Sequence, residues 1–259
     1  MEENGKKNGG LLSCRPIIIA LIAGICAVIC AAILTNGLVT YKKSAVGGGI
    51  TATGSASVDF EADMIVWRGS YSVHGGTPKE AYSVIKKDGD LIKEYLKENG
   101  VSEDEMVFSS VSISQTYTSM YDEEGRYVGD VEDGYDLTQS MTVSSSDLDK
   151  VENISRDITK LIESGVVLES DHPEYYYSKL DEMKLDLISK ATANAKERID
   201  LVAQGSGAQT GQLLNASLGV FQITAANSGT ESYSYGGSFD ISSRFKTANI
   251  TVRLNYSVK

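Results

Sequence analysis

The sequence predicts an α+β fold, with a mostly antiparallel sheet, helices packed on one face of it, and one transmembrane helix before it. Three observations predict this fold. One long uncharged run, Pro16 to Tyr41, stands near the start of the 259-residue chain. After it, apolar residues recur either at every second position or at helical spacing. Residues 50–259 contain no cysteine, so the folded part depends on an apolar core and not on disulfides.

The apolar part of the uncharged run, residues 16–39, is long enough as a helix to cross a hydrocarbon core of about 30 Å. We interpret residues 16–39 as a transmembrane helix, 1–15 as a cytoplasmic tail and 40–49 as a flexible tether. A cleaved signal peptide is the alternative, but its apolar centre is shorter, about 7 to 15 residues, and no convincing Ala-x-Ala site follows this run. Ala20 and Gly24 would let two such helices approach closely, although alanine is common in any anchor.

Charge and cysteine usage suggest where residues 50–259 lie. The formal net charge is −11, and residues 1–45 hold five Lys or Arg and two Asp or Glu, which leaves −14 for the rest. This acidity argues against nucleic acid and anionic membrane surfaces as partners. Cys14, Cys26 and Cys30 all lie in the tail or the apolar run. We therefore expect a single-pass protein of the cell membrane with its N-terminus cytoplasmic and its large C-terminal domain extracytoplasmic.

The first folded elements are two strands and a helix. Apolar residues alternate over Ile50 to Asp59 and over Met64 to His74, which predicts strands with one buried face. A Thr-x-x-Glu capping box formed by Thr77 and Glu80 then opens a helix, and Asn99-Gly100 supplies its stop signal.

A hairpin and a second helix follow. Met106 to Tyr117 and Leu137 to Val143 read as strands, so we predict a long hairpin with an acidic loop, Tyr121 to Tyr135, at its tip. Ser146 opens a helix with apolar residues at the 3.6-residue period, and Gly165 ends it.

The last third of the chain contains the longest helical pattern. Val166 to Leu168 reads as a brief strand, and Glu174 to Gln204 as a helix with apolar and alanine residues on one face. Gln212 to Ala225 and Thr247 to Val258 read as strands. The order is therefore β-β-α-β-β-α-β-α-β-β, and Met64 to Leu168 has the split-βαβ order of ferredoxin-like folds.

No pattern of residues indicates catalysis, and we assign no catalytic, cofactor-binding or metal-binding residue. His74 and His172 are the only histidines, with no cysteine or Ser-His-Asp setting near either, so we interpret them as surface or turn residues. The glycines of Gly205 to Gly211 resemble a phosphate loop, but they follow a helix and precede a strand, which reverses the required order.

Two other groups of residues leave alternatives open. Clustered carboxylates could bind Ca²⁺, but their spacing does not fit an EF-hand, so we favour a solvated hairpin tip. These carboxylates are Asp122, Glu123, Glu124, Asp130, Glu132, Asp133 and Asp136. Among 14 tyrosines, Tyr175 to Tyr177 and the pair Tyr233 and Tyr235 fit an interface, or, for the first group, the opening turn of the long helix.

The ordered series of short motifs resembles the SIMPL-domain family, which includes periplasmic and outer-membrane immunogenic proteins of bacteria. The motifs are the opening Ile50 to Val58, Lys97 to Ser109, Gly134-Tyr135, the D-L-D-K of Asp147 to Lys150, and the alanine-rich Ala193 to Gly207. The resemblance implies an extracytoplasmic α+β domain, assembled in some members into rings or channel-like oligomers and linked to envelope or stress-related roles. It implies no catalytic residue.

Our leading hypothesis is a non-enzymatic, membrane-anchored cell-envelope protein that acts through self-assembly or protein partners, with envelope stress response as a role that the resemblance adds. We expect contact with the lipid bilayer through residues 16–39, a homo-oligomer, and no nucleic acid or cofactor. The alternative is an uncharacterised extracytoplasmic hydrolase or ligand-binding enzyme, which a deep pocket joining His74 or His172 to two carboxylates would favour. A signalling adaptor is a third hypothesis.

Overall fold

The computed structural model describes residues 15–45, 48–226, 228 and 237–259. Most of the predicted tail, Cys14, and the pair Tyr233 and Tyr235 lie outside the described residues. The α+β class is confirmed, because four α-helices accompany two antiparallel sheets in the described chain. The helices are α1 (Arg15–Ala45), α2 (Pro78–Glu98), α3 (Leu148–Asp157) and α4 (Leu180–Gly205). The strands are β1 (Gly49–Glu61), β2 (Met64–Gly75), β3 (Met106–Phe108), β4 (Ser112–Tyr121), β5 (Tyr127–Ser145), β6 (Leu168–Ser170), β7 (Glu174–Tyr176), β8 (Thr210–Leu218), β9 (Gln222–Ala225) and β10 (Phe245–Val258).

The described chain forms two compact units. One comprises residues 54–194 and 218–252, and the other comprises the described residues of 1–53, 195–217 and 253–259. The first unit contains a six-stranded sheet of order β3-β5-β2-β6, in which β4 also pairs with β5 and β7 also pairs with β2. A four-stranded sheet has the order β1-β10-β8, and β9 also pairs with β10.

The six-stranded sheet has the predicted split-βαβ order. Strand β5 lies between β2 and β3, and each of its pairings with them is antiparallel. Alternate residues of β2 and β5 are buried with the apolar faces of α2 and α3, so both helices cover the same side of the sheet. The core residues of the two strands are Ile65, Trp67, Tyr71, Leu137, Met141 and Val143.

Local signals set several of the helix ends as predicted. The hydroxyl of Thr77 accepts a hydrogen bond from the backbone N–H of Glu80 at 3.3 Å, so it caps α2. Gly165, at φ 85°, ends the 3-10 turn that follows α3. The cap of α3 is Asp147 and not Ser146, because the carboxylate of Asp147 accepts from the backbone N–H of Lys150.

Two predicted boundaries outside the β4–β5 hairpin are also wrong. Helix α4 begins at Leu180 and not at Glu174, because residues 174–176 form a strand that pairs with β2 in the register Met64↔Tyr176. The predicted strand Gln212 to Ala225 is divided into β8 and β9 around Gly219, whose backbone N–H donates to the carbonyl of Thr251.

Helix α1 extends past the apolar segment. It continues from Val39 to Ala45, and β1 begins at Gly49, so the first residues of the segment that we predict to be a tether are helical. Residues 46–47 lie outside the described residues.

Candidate functional site

The hairpin of β4 and β5 carries a surface with exposed apolar side chains. Residues Ser112 to Tyr121 pair antiparallel with β5, and β4 pairs with no other strand in the described chain. Nine of the ten β4 residues are exposed, so neither face of this strand lies in the core. The large apolar side chains exposed along the hairpin are Ile113, Tyr117, Met120, Tyr121, Tyr127, Val128 and Val131.

A short turn, Asp122 to Arg126, joins the two strands. The carboxylate of Asp122 accepts hydrogen bonds from the backbone N–H groups of Glu124 and Arg126, each at 2.9 Å. The bonds from Arg126 and Glu124 hold the pKa of Asp122 below its usual value. Gly125, at φ 78°, takes the left-handed conformation that the turn requires. The ordered turn explains why the strands extend closer to the tip than the sequence predicts.

The acidic residues are therefore placed differently from the predicted loop. Asp130, Glu132, Asp133 and Asp136 lie in β5, because that strand begins at Tyr127. The hydroxyl of Ser119 on β4 donates to Asp130 at 2.8 Å. Within the described part of the chain, no group of three or more His, Cys, Asp or Glu residues is arranged to hold a metal ion.

His74 lies at the base of the hairpin. Its Nδ1 is 2.7 Å from the carboxylate of Asp136, and its Nε2 is 3.1 Å from the carbonyl oxygen of Asp133. Both partners are acceptors, so only the imidazolium form donates to both at once. Gly134 is at φ 128°, and a Cβ there would lie 2.6 Å from the carbonyl oxygen of Gly75. Glycine is therefore required at this position of β5, beside the His74 imidazole.

The exposed position of His74 agrees with the surface setting that we predict, but its partners could not be predicted from its neighbours in the sequence. Asp136 lies opposite it only because β2 and β5 pair in this register. His172 is exposed in the segment between β6 and β7. Among the described residues, His172 and His74 do not belong to any group of His, Cys, Asp or Glu side chains that could hold a metal ion.

Replacing Asp136 with asparagine is expected to lower the pKa of the His74 imidazole. The hydrogen bond that the imidazole donates to the Asp136 carboxylate, together with the negative charge of that carboxylate, raises the pKa of His74 above the usual 6.5, and the carbonyl of Asp133 adds to this. The stabilisation by His74 is therefore complete below about pH 6.5 and lost as the pH rises through its folded-state pKa. Ring-proton NMR as a function of pH measures the shift, with Asp130→Asn as the control. An unchanged pKa in Asp136→Asn would contradict the assignment.

A small cleft of about 160 Å³ lies beside α2. Tyr71, Lys86, Lys93, Phe108 and Gln139 are among its lining residues. The Tyr71 hydroxyl donates to the Gln139 side-chain oxygen at 2.6 Å, and the Gln139 amide donates to the Ser109 carbonyl at 2.7 Å. Burial raises the pKa of the Tyr71 phenol to about 12, so it remains protonated at physiological pH.

The tyrosine group before α4 packs within its own unit. The Tyr175 hydroxyl donates to Glu152 at 3.0 Å, the Tyr176 hydroxyl donates to Glu174 at 2.7 Å, and the Tyr177 ring lies 4.9 Å from that of Phe60. The side chains are all partly buried. Tyr175 and Tyr176 therefore belong to β7, neither to an interface of exposed tyrosines nor to the first turn of a helix.

Sequence reasoning missed Arg244, which joins three elements of the first unit. Its guanidinium pairs with Glu61 at the end of β1 at 2.7 Å, and with Asp149 and Glu152 on α3 at 2.5 and 3.3 Å. Asp149 and Glu61 raise its pKa. Only partners far away in the sequence reveal this role, so no local signal could have found it.

The apolar segment is the second functional feature. Ile19–Val39 lies within α1, has a mean hydropathy of 2.4, and is not packed against the rest of the described chain. Cys26 and Cys30 on this helix are free and exposed. The helix is long and apolar enough to be a membrane anchor, and a signal sequence has the same properties.

Comparison with known families agrees with the resemblance in the sequence. No curated protein matches the chain. Residues 50–258 match the SIMPL family, which is described as a protein of unknown function (DUF541). The match includes the six-stranded sheet, the hairpin and every described element after α1. The chain therefore belongs to the SIMPL family.

Proposed function

We propose that this protein is a single-pass cell-envelope protein, anchored by residues 16–39, whose SIMPL domain works outside the membrane by self-association or by binding protein partners. The observation that carries the proposal is the Ile19–Val39 segment, because a helix of this length and apolarity without packing partners is stable in a lipid bilayer and not in water. The acidic, cysteine-free remainder supports an extracytoplasmic domain.

The hairpin supports an associative role. Monomeric soluble proteins rarely expose large contiguous apolar patches, and such patches mark interaction sites. Tyr117, Tyr121 and Tyr127 expose between 57% and 64% of their surface on one hairpin. The rings of Tyr121 and Tyr127, which lie opposite each other on the two strands, are 6.1 Å apart. Tyrosine is also enriched in protein interfaces, because it combines large contact area with few rotatable bonds. A role in envelope stress would be one use of such association.

The membrane part of the proposal is tested by fractionating cells that express the full chain. We expect the protein in the membrane fraction after a high-salt and alkaline wash, at the mass of the uncleaved chain, with residues 50–259 digested by protease added outside the cytoplasmic membrane. The matched variant Val28→Lys, which places a charge in the middle of the segment, is expected to reduce insertion, since a central lysine costs about 2.5–3.5 kcal/mol.

Two results would overturn this part. A mature mass lacking residues 16–39 would identify a cleaved signal peptide, and protection of the domain from external protease would reverse the orientation.

The cleft beside Tyr71 is the observation that favours a ligand-binding function as a second candidate. Lys86 and Lys93 border the cleft together with Asp90, and the two ammonium groups on this side of it suit a small anion. Equilibrium binding of small carboxylates and phosphates, compared with Lys93→Ala, tests this candidate. Equal binding by both proteins would remove it.

A further inference from the structure

The outer part of the hairpin is a ribbon of only two strands. Strand β2 accompanies β5 as far as the pair Gly75↔Tyr135, so residues 127–134 of β5 pair with β4 alone. A two-stranded ribbon is marginally stable in water, and a third strand stabilises it by adding backbone hydrogen bonds and side-chain contacts. Each strand of this ribbon therefore has a free edge on which a third strand could form.

The two free edges differ in charge and in regularity. The β5 edge carries Asp130, Glu132 and Asp133, and two of its residues, Val128 and Asp133, have no opposite residue on β4. Charges and bulges of this kind block the addition of a strand. Strand β4 has no charged residue and no proline, and its alternation is unbroken because both insertions lie in β5. The β4 edge is thus the one open to pairing.

Strand β1, at the edge of the other sheet, shows how an edge is covered in this protein. The backbone N–H of Ser55 donates to the Asn194 side chain at 3.3 Å, and the Arg198 side chain donates to the carbonyl of Thr53 at 2.9 Å. The outward backbone groups of β4 have no such side-chain partner among the described residues. An open strand of ten residues offers about ten backbone hydrogen bonds to a partner strand.

The sequence of β4 complements itself when it pairs antiparallel around Tyr117. In this register, residues that are equally far from Tyr117 on the two copies lie opposite each other. Tyr117 therefore lies opposite its own copy, Ile113 opposite Tyr121 and Gln115 opposite Ser119. On the other face, Thr116 lies opposite Thr118. Aromatic, apolar and Thr–Thr pairs of this kind each stabilise a sheet, and the tyrosine pair adds an aromatic contact at the centre.

Charge identifies a second copy as the occupant. The chain carries a formal −11, so most surfaces of two copies repel each other, whereas β4 brings no like charges together. We propose that β4 of one protomer pairs antiparallel with β4 of a second copy, about a two-fold axis through Tyr117. This inference rests on the proposed function, since it names the surface and the partner through which the domain associates.

The test uses the full chain in a non-ionic detergent, with its mass in the micelle followed by sedimentation. Tyr117→Glu and Tyr117→Lys each place like charges opposite one another at the two-fold axis, so each variant alone is expected to associate about tenfold more weakly than the wild type. An equal mixture of the two variants pairs Glu with Lys and is expected to recover most of the association. Each variant is expected to fold like the wild type, since Tyr117 is 60% exposed, and far-UV circular dichroism checks this.

Cross-linking locates the axis. In a chain whose Cys14, Cys26 and Cys30 are replaced by alanine, Tyr117→Cys is expected to form a disulfide-linked dimer under mild oxidation. Residues directly opposite in an antiparallel pair have Cα atoms about 4.5–5.5 Å apart, within the range of a disulfide. The matched control Tyr127→Cys, exposed on β5, is expected to remain monomeric on a reducing-agent-free gel.

The outcomes separate this inference from the proposed function. A wild-type chain that is monomeric at every concentration contradicts both the self-association and the β4 pairing. An oligomer that is unchanged in Tyr117→Glu, or one that is lost instead in Leu213→Lys on the uncharged edge strand β8, contradicts the β4 pairing and leaves self-association standing. Loss of association in both Tyr117 variants without recovery in the mixture indicates a different partner strand and overturns the two-fold arrangement.

Discussion

Replacing Trp67 with alanine is expected to lower the free energy of unfolding by about 3–5 kcal/mol, because it leaves a large cavity in the core. Trp67 is fully buried in β2, between the helices and the sheet. Its indole N–H donates to the hydroxyl of Ser170 at 3.0 Å, so the substitution also removes a buried hydrogen bond. Strand β2 pairs with β5, β6 and β7, so the cavity in β2 is expected to weaken the packing of the whole six-stranded sheet.

Chemical denaturation followed by circular dichroism measures this change, because Trp67 is the only tryptophan and its fluorescence is lost in the variant. Trp67→Phe, which keeps most of the ring volume, is expected to cost less than Trp67→Ala. Tyr82→Ala, at a half-exposed position on α2, is expected to change stability by less than about 0.5 kcal/mol. A cost below about 1 kcal/mol for Trp67→Ala would contradict the packing of this core.

Replacing Glu105 with glutamine is expected to destabilise the protein by about 3 kcal/mol at neutral pH. The Glu105 carboxylate is mostly buried and accepts hydrogen bonds from the Ser102 backbone N–H at 2.9 Å, the Lys150 ammonium at 3.1 Å and the Ser145 hydroxyl. Burial by itself would raise its pKa, but the bonds from Ser145, Ser102 and Lys150 outweigh burial and hold the pKa at about 2, below the usual 4.5.

The pH dependence of this effect has a definite sign. The pKa of Glu105 is lower in the folded than in the unfolded protein, so its stabilisation is complete above about pH 4.5 and is lost as the pH falls through about 2. The difference in unfolding free energy between wild type and Glu105→Gln should therefore shrink in acid. The exposed neighbour Glu103, which pairs with Lys97, provides the control, and Glu103→Gln should have a small effect at every pH. A difference independent of pH would contradict the role of the charge.

Local signals in the sequence were sufficient for most of the helices and strands. The period of two in residues 64–74 and the period of 3.6 after Thr77 each correspond to one face of an element that is buried in the core. Helix capping at Thr77 and termination at Gly165 also depend on neighbours within a few residues. Such features can be predicted because the groups that interact are close together in the chain.

Pairing between distant segments decided the elements for which the prediction was wrong. Residues 174–176 follow Pro173, which is a common residue at the start of a helix. Backbone pairing with β2 makes them a strand instead, and α4 begins only at Leu180. The acidic residues after Tyr127 have the composition of a loop, but pairing with β4 orders them as a strand. Tertiary hydrogen bonding thus overrides a weak local preference.

The sequence by itself determined the apolar segment, the cysteine-free acidic domain, the α+β class and the series of motifs shared with the SIMPL family. Each of these depends on composition or on the spacing of nearby residues. The tertiary structure alone placed Asp136 beside His74, gathered three carboxylates around Arg244 and left the uncharged edge of β4 unpaired. These features depend on strand register and on contacts between residues 60 or more positions apart, and a sequence pattern carries no information about such contacts until the sheet has formed.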